Sequence, residues 1–189
     1  MQFFENFYLK TVRYDLTNRY FLKNTKSIPK IKKIILNFNC WSKPLDVNLV
    51  ASSMLALELI TCQKGELTKT KFSNLILRLR KGIPIGCKLI LKKENNYIFL
   101  SKIVQEVSPS NKVFMLYNPN LMKNAFSFNI KELFNFNELE KQYSFFKDLN
   151  HLNVTIITNT NSLNELEFLL KSLKIPLKFQ IYNRVLYKK

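Results

Sequence analysis

Basic side chains are concentrated in residues 64–93, where nine lysines and arginines accompany a single acid, Glu66. The nine are Lys64, Lys69, Lys71, Arg78, Arg80, Lys81, Lys88, Lys92 and Lys93. Ammonium and guanidinium groups neutralise phosphate, so the chemistry that this stretch favours is the binding of a polyanion such as nucleic acid. A run of lysines is equally typical of an ordinary solvated surface, and charge alone leaves both interpretations open.

The alternation of these charges with leucine and isoleucine favours the nucleic-acid interpretation. It predicts two strands, residues 75–80 and 87–92, joined as a hairpin through a turn rich in glycine and proline. The basic members of the two strands would share one face: Arg78, Arg80, Lys88 and Lys92. Like charges on neighbouring strands repel one another unless a polyanion neutralises them.

Two asparagines and a polar stretch are weaker candidates. Asn37 and Asn39 fall on the polar face of a strand predicted after Pro29. Their amides would either bond phosphate, ribose or base edges, or lie solvated at the strand surface. Lys69, Lys71 and Ser73 belong to a polar stretch that is either an ordinary loop or a finger that reaches into RNA.

The sequence contains no recognisable catalytic or metal-binding motif. His151 is the only histidine, and the three cysteines have no Cys-x-x-Cys spacing. The three glycines do not form a phosphate-binding loop. Glu138 and Glu140 have no partners for acid–base chemistry, so a solvated face is the better interpretation. We therefore expect no enzyme activity, no metal and no cofactor.

Composition limits the class of protein. Of the 189 residues 47% are hydrophobic, which is enough for a sizeable core and excludes disorder of the whole chain. Thirty basic against thirteen acidic residues give a net charge of +17, which attracts polyanions. We expect no membrane insertion, because no apolar run of membrane-spanning length is free of charge. A basic peripheral membrane protein is disfavoured, because Glu5 and Asp15 interrupt the predicted N-terminal helix.

Hydrophobic periodicity predicts the elements of the N-terminal half. Phe3, Phe7, Tyr14, Leu16 and Tyr20 recur at roughly helical spacing, which predicts an amphipathic helix that ends near residues 23–26. The alternating residues Ile34, Leu36 and Phe38 form the core side of a strand, and Lys33, Ile35, Asn37 and Asn39 form the other side. A second helix is predicted from a cap at Asp46 to about Thr61.

The C-terminal half carries weaker signals. A helix is predicted over residues 95–107, with Tyr97, Leu100, Ser101 and Val104 on one side. Residues 110–150 lack a clean period and predict only irregular strands and loops. A strand follows at residues 154–158, and Ser162 and Glu165 have the spacing of a capping box for a helix that ends before Pro176.

These elements predict a single two-layer α+β domain. Helices would cover one face of a largely antiparallel sheet that carries a long basic hairpin loop, and function would lie on the uncovered face. The chain divides into an N-terminal helix (1–22), a basic half (27–109), a middle segment (110–150), a last strand and helix (151–178) and a C-terminal extension (179–189).

Three stretches resemble the universal L5 family of large-subunit ribosomal proteins, which binds 5S rRNA. They are residues 27–39 (SIPKIKKIILNFN), 59–72 (LITCQKGELTKTKF) and 77–91 (LRLRKGIPIGCKLIL). Residues 7–22 and 152–178 are similar to the first helix and the last strand and helix of the family. The resemblance therefore covers most of the chain.

The resemblance implies a structural protein of the central protuberance. Its partners would be 5S rRNA, large-subunit rRNA, P-site tRNA, a protein of the small-subunit head and neighbouring ribosomal proteins. With the basic face included, the residues expected to contact rRNA are Lys30, Lys33, Asn37, Asn39, Gln63, Lys64, Thr68, Lys69, Arg78, Arg80, Lys88 and Lys92. The loop expected to face tRNA, residues 71–82, includes Lys71, Ser73, Asn74, Lys81 and Gly82. A free organellar RNA-binding or splicing factor is the alternative.

The chain departs from the family pattern at several places. Residues 108–132 stand where the family carries an Arg-rich, Gly-containing segment and a later Asp-Gly-Arg-Gly-like loop. Asn39 and Cys62 replace family glycines, where a backbone with φ > 0 would be strained for other residues. The C-terminal extension is expected to contact a lineage-specific neighbour.

Composition also suggests where the protein works. Lysine, isoleucine, asparagine and phenylalanine are abundant while glycine is scarce, as expected of an A+T-rich genome. The family-like helix begins within the first few residues, which leaves no room for a presequence. We therefore expect synthesis inside an organelle and location in the mitochondrial matrix, in preference to a plastid or an A+T-rich bacterium.

Overall fold

The N-terminal helical segment buries a face that coincides only in part with the predicted one. The computed structural model describes residues 3–40, 46–76, 79–107, 115–116, 124–175 and 177–178. Helix α1 (Phe3–Phe7), a π-helical turn (Tyr8–Val12) and helix α2 (Arg13–Tyr20) are continuous. The core contacts come from every fourth residue: Phe4, Tyr8, Val12 and Leu16. Of the predicted positions, Leu16 is buried and Phe7 and Tyr20 pack against the core, whereas Phe3 and Tyr14 are 73% and 63% exposed.

Five strands form an antiparallel sheet in the order β2-β3-β1-β6-β5. They are β1 (Ile31–Asn39), β2 (Glu66–Lys69), β3 (Pro84–Lys92), β5 (Ala125–Ile130) and β6 (Leu152–Thr158). Two short strands, β4 (Met115–Leu116) and β7 (Leu177–Lys178), pair in parallel separately. Strand β1 lies at the centre, paired with β3 on one side and β6 on the other.

The predicted hairpin between residues 75–80 and 87–92 is wrong in one strand. Strand β3 pairs with β2 and not with the described residues of 75–80. Those residues lie in the loop between β2 and β3, residues 70–83, where Asn74 and Leu79 form an isolated bridge. The alternation of apolar and basic residues therefore does not indicate a strand of the sheet here. Hydrogen bonds between Thr70 and Arg80, Gly82 and Ile83 hold the base of the loop together instead.

Two longer helices lie where they were predicted, but the cap of one and the buried face of the other differ from the prediction. Helix α3 (Val47–Thr61) begins after Asp46, although the Asp46 side chain makes no cap bond. Helix α4 (Glu94–Lys102) continues into a π-helical turn (Ile103–Val107). Its buried residues are Asn96, Phe99, Leu100, Ile103 and Val107, so of the predicted face only Leu100 is buried. The buried residues keep ordinary α-helical spacing, and the predicted face lies one residue out of phase with the observed one.

The middle segment is more regular than predicted. Residues 125–130 form strand β5, and Phe126, Phe128 and Ile130 are buried while the residues between them are exposed or half-buried. Two short helices follow, α5 (Asn137–Glu140) and α6 (Tyr143–Phe146). Frequent asparagine weakened the strand pattern in the sequence, but pairing with β6 supplies the hydrogen bonds that propensity lacks.

The last strand and helix confirm their prediction. Helix α7 (Leu163–Ser172) begins at Ser162, whose Oγ accepts the Glu165 N–H at 3.3 Å. Glu165 reaches back to accept the Asn161 N–H at 3.1 Å, one residue before the cap, so the pair forms a variant of the capping box, in which the donor is ordinarily the cap residue itself. The helix ends at Ser172, before Pro176.

A single layer of helices covers one face of the sheet. Ile34, Leu36 and Phe38 of β1 join the inward residues of β3, β5 and β6 against the helices in one core. The other face of the sheet stays uncovered within the described residues. The predicted two-layer α+β architecture is therefore correct. Over the part of the chain that the structure describes, no helix has both the length and the apolar character to cross a bilayer.

Candidate nucleic-acid interface

The uncovered face of the sheet arranges polar and basic side chains in rows that run across the strands. We call this surface the open face. Pairing places Lys33 opposite Lys92 and Asn37 opposite Lys88. The inward residues of the same strands are buried, so the alternation of the strands turns these four side chains away from the core. The predicted polar side of β1 is therefore confirmed.

A cleft of about 310 Å³ lies at the β3 edge of the open face. Gln63 and Lys64 line it from the end of α3, and Lys88 and Lys92 line it from β3. Glu66, the one acid lining the cleft, stands opposite Lys88 in the β2–β3 register. Several lysines converge here with little compensating charge, which is an arrangement that a phosphate would neutralise.

The row next to this cleft brings two strands into close approach. Asn39 and Thr68 both stand opposite Gly86. A Cβ built on Gly86 would come within 2.3 Å of the Phe38 carbonyl oxygen, so only glycine fits between the strands. Lys69, opposite Pro84, is exposed at the sheet edge, and Lys30 is exposed just before β1.

Arg80 does not lie where the predicted hairpin placed it. It is exposed in the 70–83 loop and is not a cross-strand neighbour of Lys88 or Lys92. Arg78 lies outside the described residues. The register therefore does not bring Arg80 against the β3 lysines, and the described basic residues divide between the open face and a separate loop.

The 70–83 loop is an arm with a fixed base. The Thr70 hydroxyl donates to the Arg80 carbonyl at 2.6 Å and accepts the Ile83 N–H at 3.1 Å. Gly82, with φ of +90°, adopts the left-handed conformation that favours glycine. The residues predicted to face tRNA all lie exposed on this arm: Lys71, Ser73, Asn74, Lys81 and Gly82.

The tip of the arm is apolar, which the sequence reasoning missed as a surface feature. Phe72, Leu75 and Ile76 are 84%, 94% and 92% exposed. The Asn74 side chain accepts the Ile76 N–H at 3.0 Å and so fixes the turn that presents them. Large apolar side chains displayed beside lysines favour contact with a partner surface rather than with water.

Sequence reasoning also missed the half of the open face on β6 and β5. Asn153 stands opposite Asn37 on one side and Asn129 on the other. Thr155 and Ser127 form the next row, with their hydroxyl oxygens 3.0 Å apart. The alternation in residues 152–158 indicates which side chains face away from the core, because every second one is buried, but not which strand they lie beside.

The described residues hold no cluster of metal-ligating side chains. Burial raises the pKa of the Cys87 thiol to about 11 and also raises that of Cys40, so both thiols stay protonated. Glu138 forms an ion pair with Lys102, and Glu140 and His151 are exposed. None of these groups forms a nucleophile–base arrangement.

Comparison with known proteins identifies what the chain resembles. A family model described as the C-terminus of the ribosomal L5 protein family matches residues 84–177. The large ribosomal subunit protein uL5 of Syntrophus aciditrophicus is 31% identical over 92% of this chain and 97% of its own length. Protein uL5m of Reclinomonas americana is 33% identical, over 90% of this chain and 94% of its own. Protein uL5c of Oedogonium cardiacum is 28% identical, over 90% and 95% respectively.

Proposed function

Because this chain belongs to the uL5 family of large-subunit ribosomal proteins, we propose that it binds 5S rRNA and large-subunit rRNA in the central protuberance. Members of this family are structural and non-enzymatic. The role would be positional: lysines neutralise phosphate while the shape and amides of the sheet select the RNA.

The open face is the single observation that carries the proposal. Its register gathers Lys33, Lys88 and Lys92 beside Asn37, with Gln63 and Lys64 at the adjoining cleft. These residues were selected from the sequence as rRNA contacts, and the fold brings them to one surface. A sheet that leaves one face bare and basic suits a broad, shallow RNA surface.

The arm supports the second contact, with P-site tRNA. It connects β2 to β3 with Lys71, Arg80 and Lys81 exposed along it. Hydrogen bonds fix its base, which would hold these cations in place for a partner other than the rRNA. Contact with a small-subunit head protein and neighbouring ribosomal proteins follows from the family resemblance.

Location in the mitochondrial matrix remains part of the proposal. Its support is the A+T-type composition, with abundant lysine and asparagine and only three glycines. Similarity to mitochondrial, chloroplast and bacterial proteins is compatible with an organellar ribosome.

Binding to the 5S rRNA of the same compartment tests the proposal. The purified protein is titrated with that RNA and with an unrelated structured RNA of equal length. If about four basic groups contact phosphate, affinity falls roughly a hundredfold between about 50 and 200 mM salt. The double variant Lys88→Ala with Lys92→Ala is expected to reduce the salt slope by roughly 1.4 to 1.8.

A control with the same loss of charge uses Lys141→Ala with Lys147→Ala, since both side chains are exposed near the α5 and α6 helices. It should leave the slope close to that of the original protein. Equal binding to both RNAs would contradict the 5S role and favour a general organellar RNA-binding factor. A flat salt response would contradict phosphate binding altogether.

A further inference from the structure

Positive and negative charge are divided between the two layers of the fold. The described helices α1–α7, together with their two π-helical turns, hold nine of the chain's thirteen acidic residues but only five of its thirty basic residues. The basic excess therefore lies outside these helices, as it does on the open face. An acidic layer repels phosphate, so RNA on the open face leaves the helices to a partner of another kind.

Helix α3 is the extreme case, because residues 46–63 contain no lysine or arginine. One side of this helix is buried in the core. The other side exposes a row of residues at intervals of four, four and three, namely Val47, Ala51, Leu55 and Glu58. We call this row the outer row of α3.

Apolar side chains form the centre of the outer row. Val47 and Leu55 are 69% and 46% exposed, and the small Ala51 between them allows another helix to approach closely. Intervals of three and four residues are those by which two helices pack ridges into grooves. A contiguous exposed apolar row marks contact with another protein rather than with water, and the shape of this one suits a helix.

The charges at the ends of the row indicate what the partner carries. Asp46, just before the helix, and Glu58 are about 18 Å apart along the helix axis, with the apolar centre between them. Both carboxylates are exposed, and in the part of the chain that the structure describes neither forms an ion pair. Carboxylates attract ammonium groups, so the complementary surface is apolar in its middle and carries lysines at its ends.

We propose that the outer row of α3 docks a lysine-rich amphipathic helix of a neighbouring ribosomal protein. The apolar side chains of that helix would pack on Val47, Ala51 and Leu55, and its ammonium groups would pair with Asp46 and Glu58. This inference rests on the proposed function and deepens it, because it gives one protein partner a surface and a chemistry. RNA and this partner would then occupy opposite sides of the same domain.

Carbodiimide cross-linking of ribosomes that contain the protein tests this docking site. The reagent joins a carboxylate to a lysine amine where the two are in contact. Mass spectrometry is expected to find Asp46 and Glu58 linked to lysines of one other protein. Glu58→Gln should lose its own link and keep the Asp46 link. Glu66, in the lysine-lined cleft of the open face, should have no link to another protein and serves as the internal control.

Competition during assembly supplies a second measurement. Leu55→Lys places a like charge in the row, and this variant should enter large subunits at least about fivefold less well than the original protein when the two are mixed. Asn18→Lys adds the same charge to an exposed position of α2 and should compete as the original protein does. Both variants should unfold in urea as cooperatively as the original protein, so a loss in competition reflects docking.

Three results would overturn the assignment. They are the absence of links from Asp46 and Glu58 to another protein, links to a second copy of this chain alone, and equal competition by the Leu55 and Asn18 variants. In each case a preference for 5S rRNA would leave the proposed function standing. Docking links without that preference would contradict the proposed 5S role alone, and absence of the protein from ribosomes would contradict both.

Discussion

Cys62 adopts a backbone conformation that is strained for any residue other than glycine. It ends α3 in the left-handed conformation with φ of 55°, at a position where the resemblance places a glycine. Its N–H still donates to the Glu58 carbonyl at 2.8 Å, so the backbone keeps the conformation that suits glycine. Asn39, the other replacement, is an ordinary strand residue.

Cys62→Gly is therefore expected to stabilise the protein. Glycine removes the left-handed penalty of about 1–2 kcal/mol, partly offset by greater freedom of the unfolded chain. We expect the free energy of unfolding in urea to rise by up to about 1 kcal/mol. Cys62→Ala keeps the strain and serves as the control; an equal gain from alanine would show that the thiol, not the backbone, is responsible.

Glu106 gives the protein a dependence on pH. Burial, and then the neighbouring Glu138 carboxylate, raise the pKa of Glu106 above its ordinary value, against the attraction of Lys102. The folded state therefore binds this proton more tightly than the unfolded state does. This contribution to stability is greatest below the ordinary carboxyl pKa of about 4.3 and is lost as pH rises through the raised value.

Glu106→Gln should remove that dependence. At about pH 7 the variant should be at least as stable as the original protein, because glutamine carries no charge that burial would penalise. The difference should shrink as pH falls toward the raised pKa. Urea unfolding across this range measures it, with exposed Glu140→Gln as the control. A variant advantage that grows on acidification would contradict the assignment.

At the scale of elements, the contribution of the Ser162 cap to the stability of α7 can be tested with single substitutions. Ser162→Ala should lower the free energy of unfolding by about 1 kcal/mol, because the Glu165 N–H loses its acceptor. Ser172→Ala, at the other end of the helix, should change it by less than about 0.5 kcal/mol. Similar losses at both ends would show that the cap contributes nothing specific.

The elements that sequence could predict are those with an uninterrupted period. Strands β1 and β6 alternate cleanly, and α3 and α7 have clear starts, so their existence and most of their bounds were predictable. The buried faces of the N-terminal segment and α4 were predictable only in part: the first contains a π-helical turn that alters the spacing, and the second lies one residue out of phase with the prediction. Residues 75–80 alternate like a strand, yet the bonds of Thr70 make most of them part of a loop.

Some residues of the candidate site could likewise be predicted from the sequence and others could not. Lys33, Asn37, Lys88 and Lys92 were predictable because alternation alone assigns them to the face opposite the core. Asn153 was not, because its meaning depends on which strand pairs with β1 and in which register. Residue types and local spacing do not contain that long-range information.

At the scale of the whole molecule, a net charge of +17 opposes folding of the free chain. Added salt screens this repulsion. Between about 50 and 300 mM potassium chloride, we expect the melting temperature at fixed pH to rise. The rise should be about 2–4 °C for each kcal/mol that screening adds to the free energy of unfolding. A melting temperature that falls with salt would indicate that attractive ion pairs dominate instead.

Bound RNA should reduce the repulsion between basic side chains as added salt does. A polyanion on the open face neutralises the same repulsion, and a ligand that binds only the folded state stabilises it by mass action. The bound protein should therefore melt higher and respond less to salt than the free protein. Absence of both effects with 5S rRNA would contradict binding through the open face.

The anchorage of the arm at Thr70 gives this protein a lever with one pivot. The hydroxyl and backbone groups of Thr70 tie the outgoing and returning chains together at Arg80, Gly82 and Ile83, and Asn74 pairs with Leu79 farther along. Six residues lead from there to Ile76, a reach of at most about 20 Å. A tilt of about 10° at the pivot would then displace the tip by roughly 3.5 Å, about one hydrogen-bond length. The direction of the arm is thus set by the hydrogen bonds at its base, most of which involve Thr70.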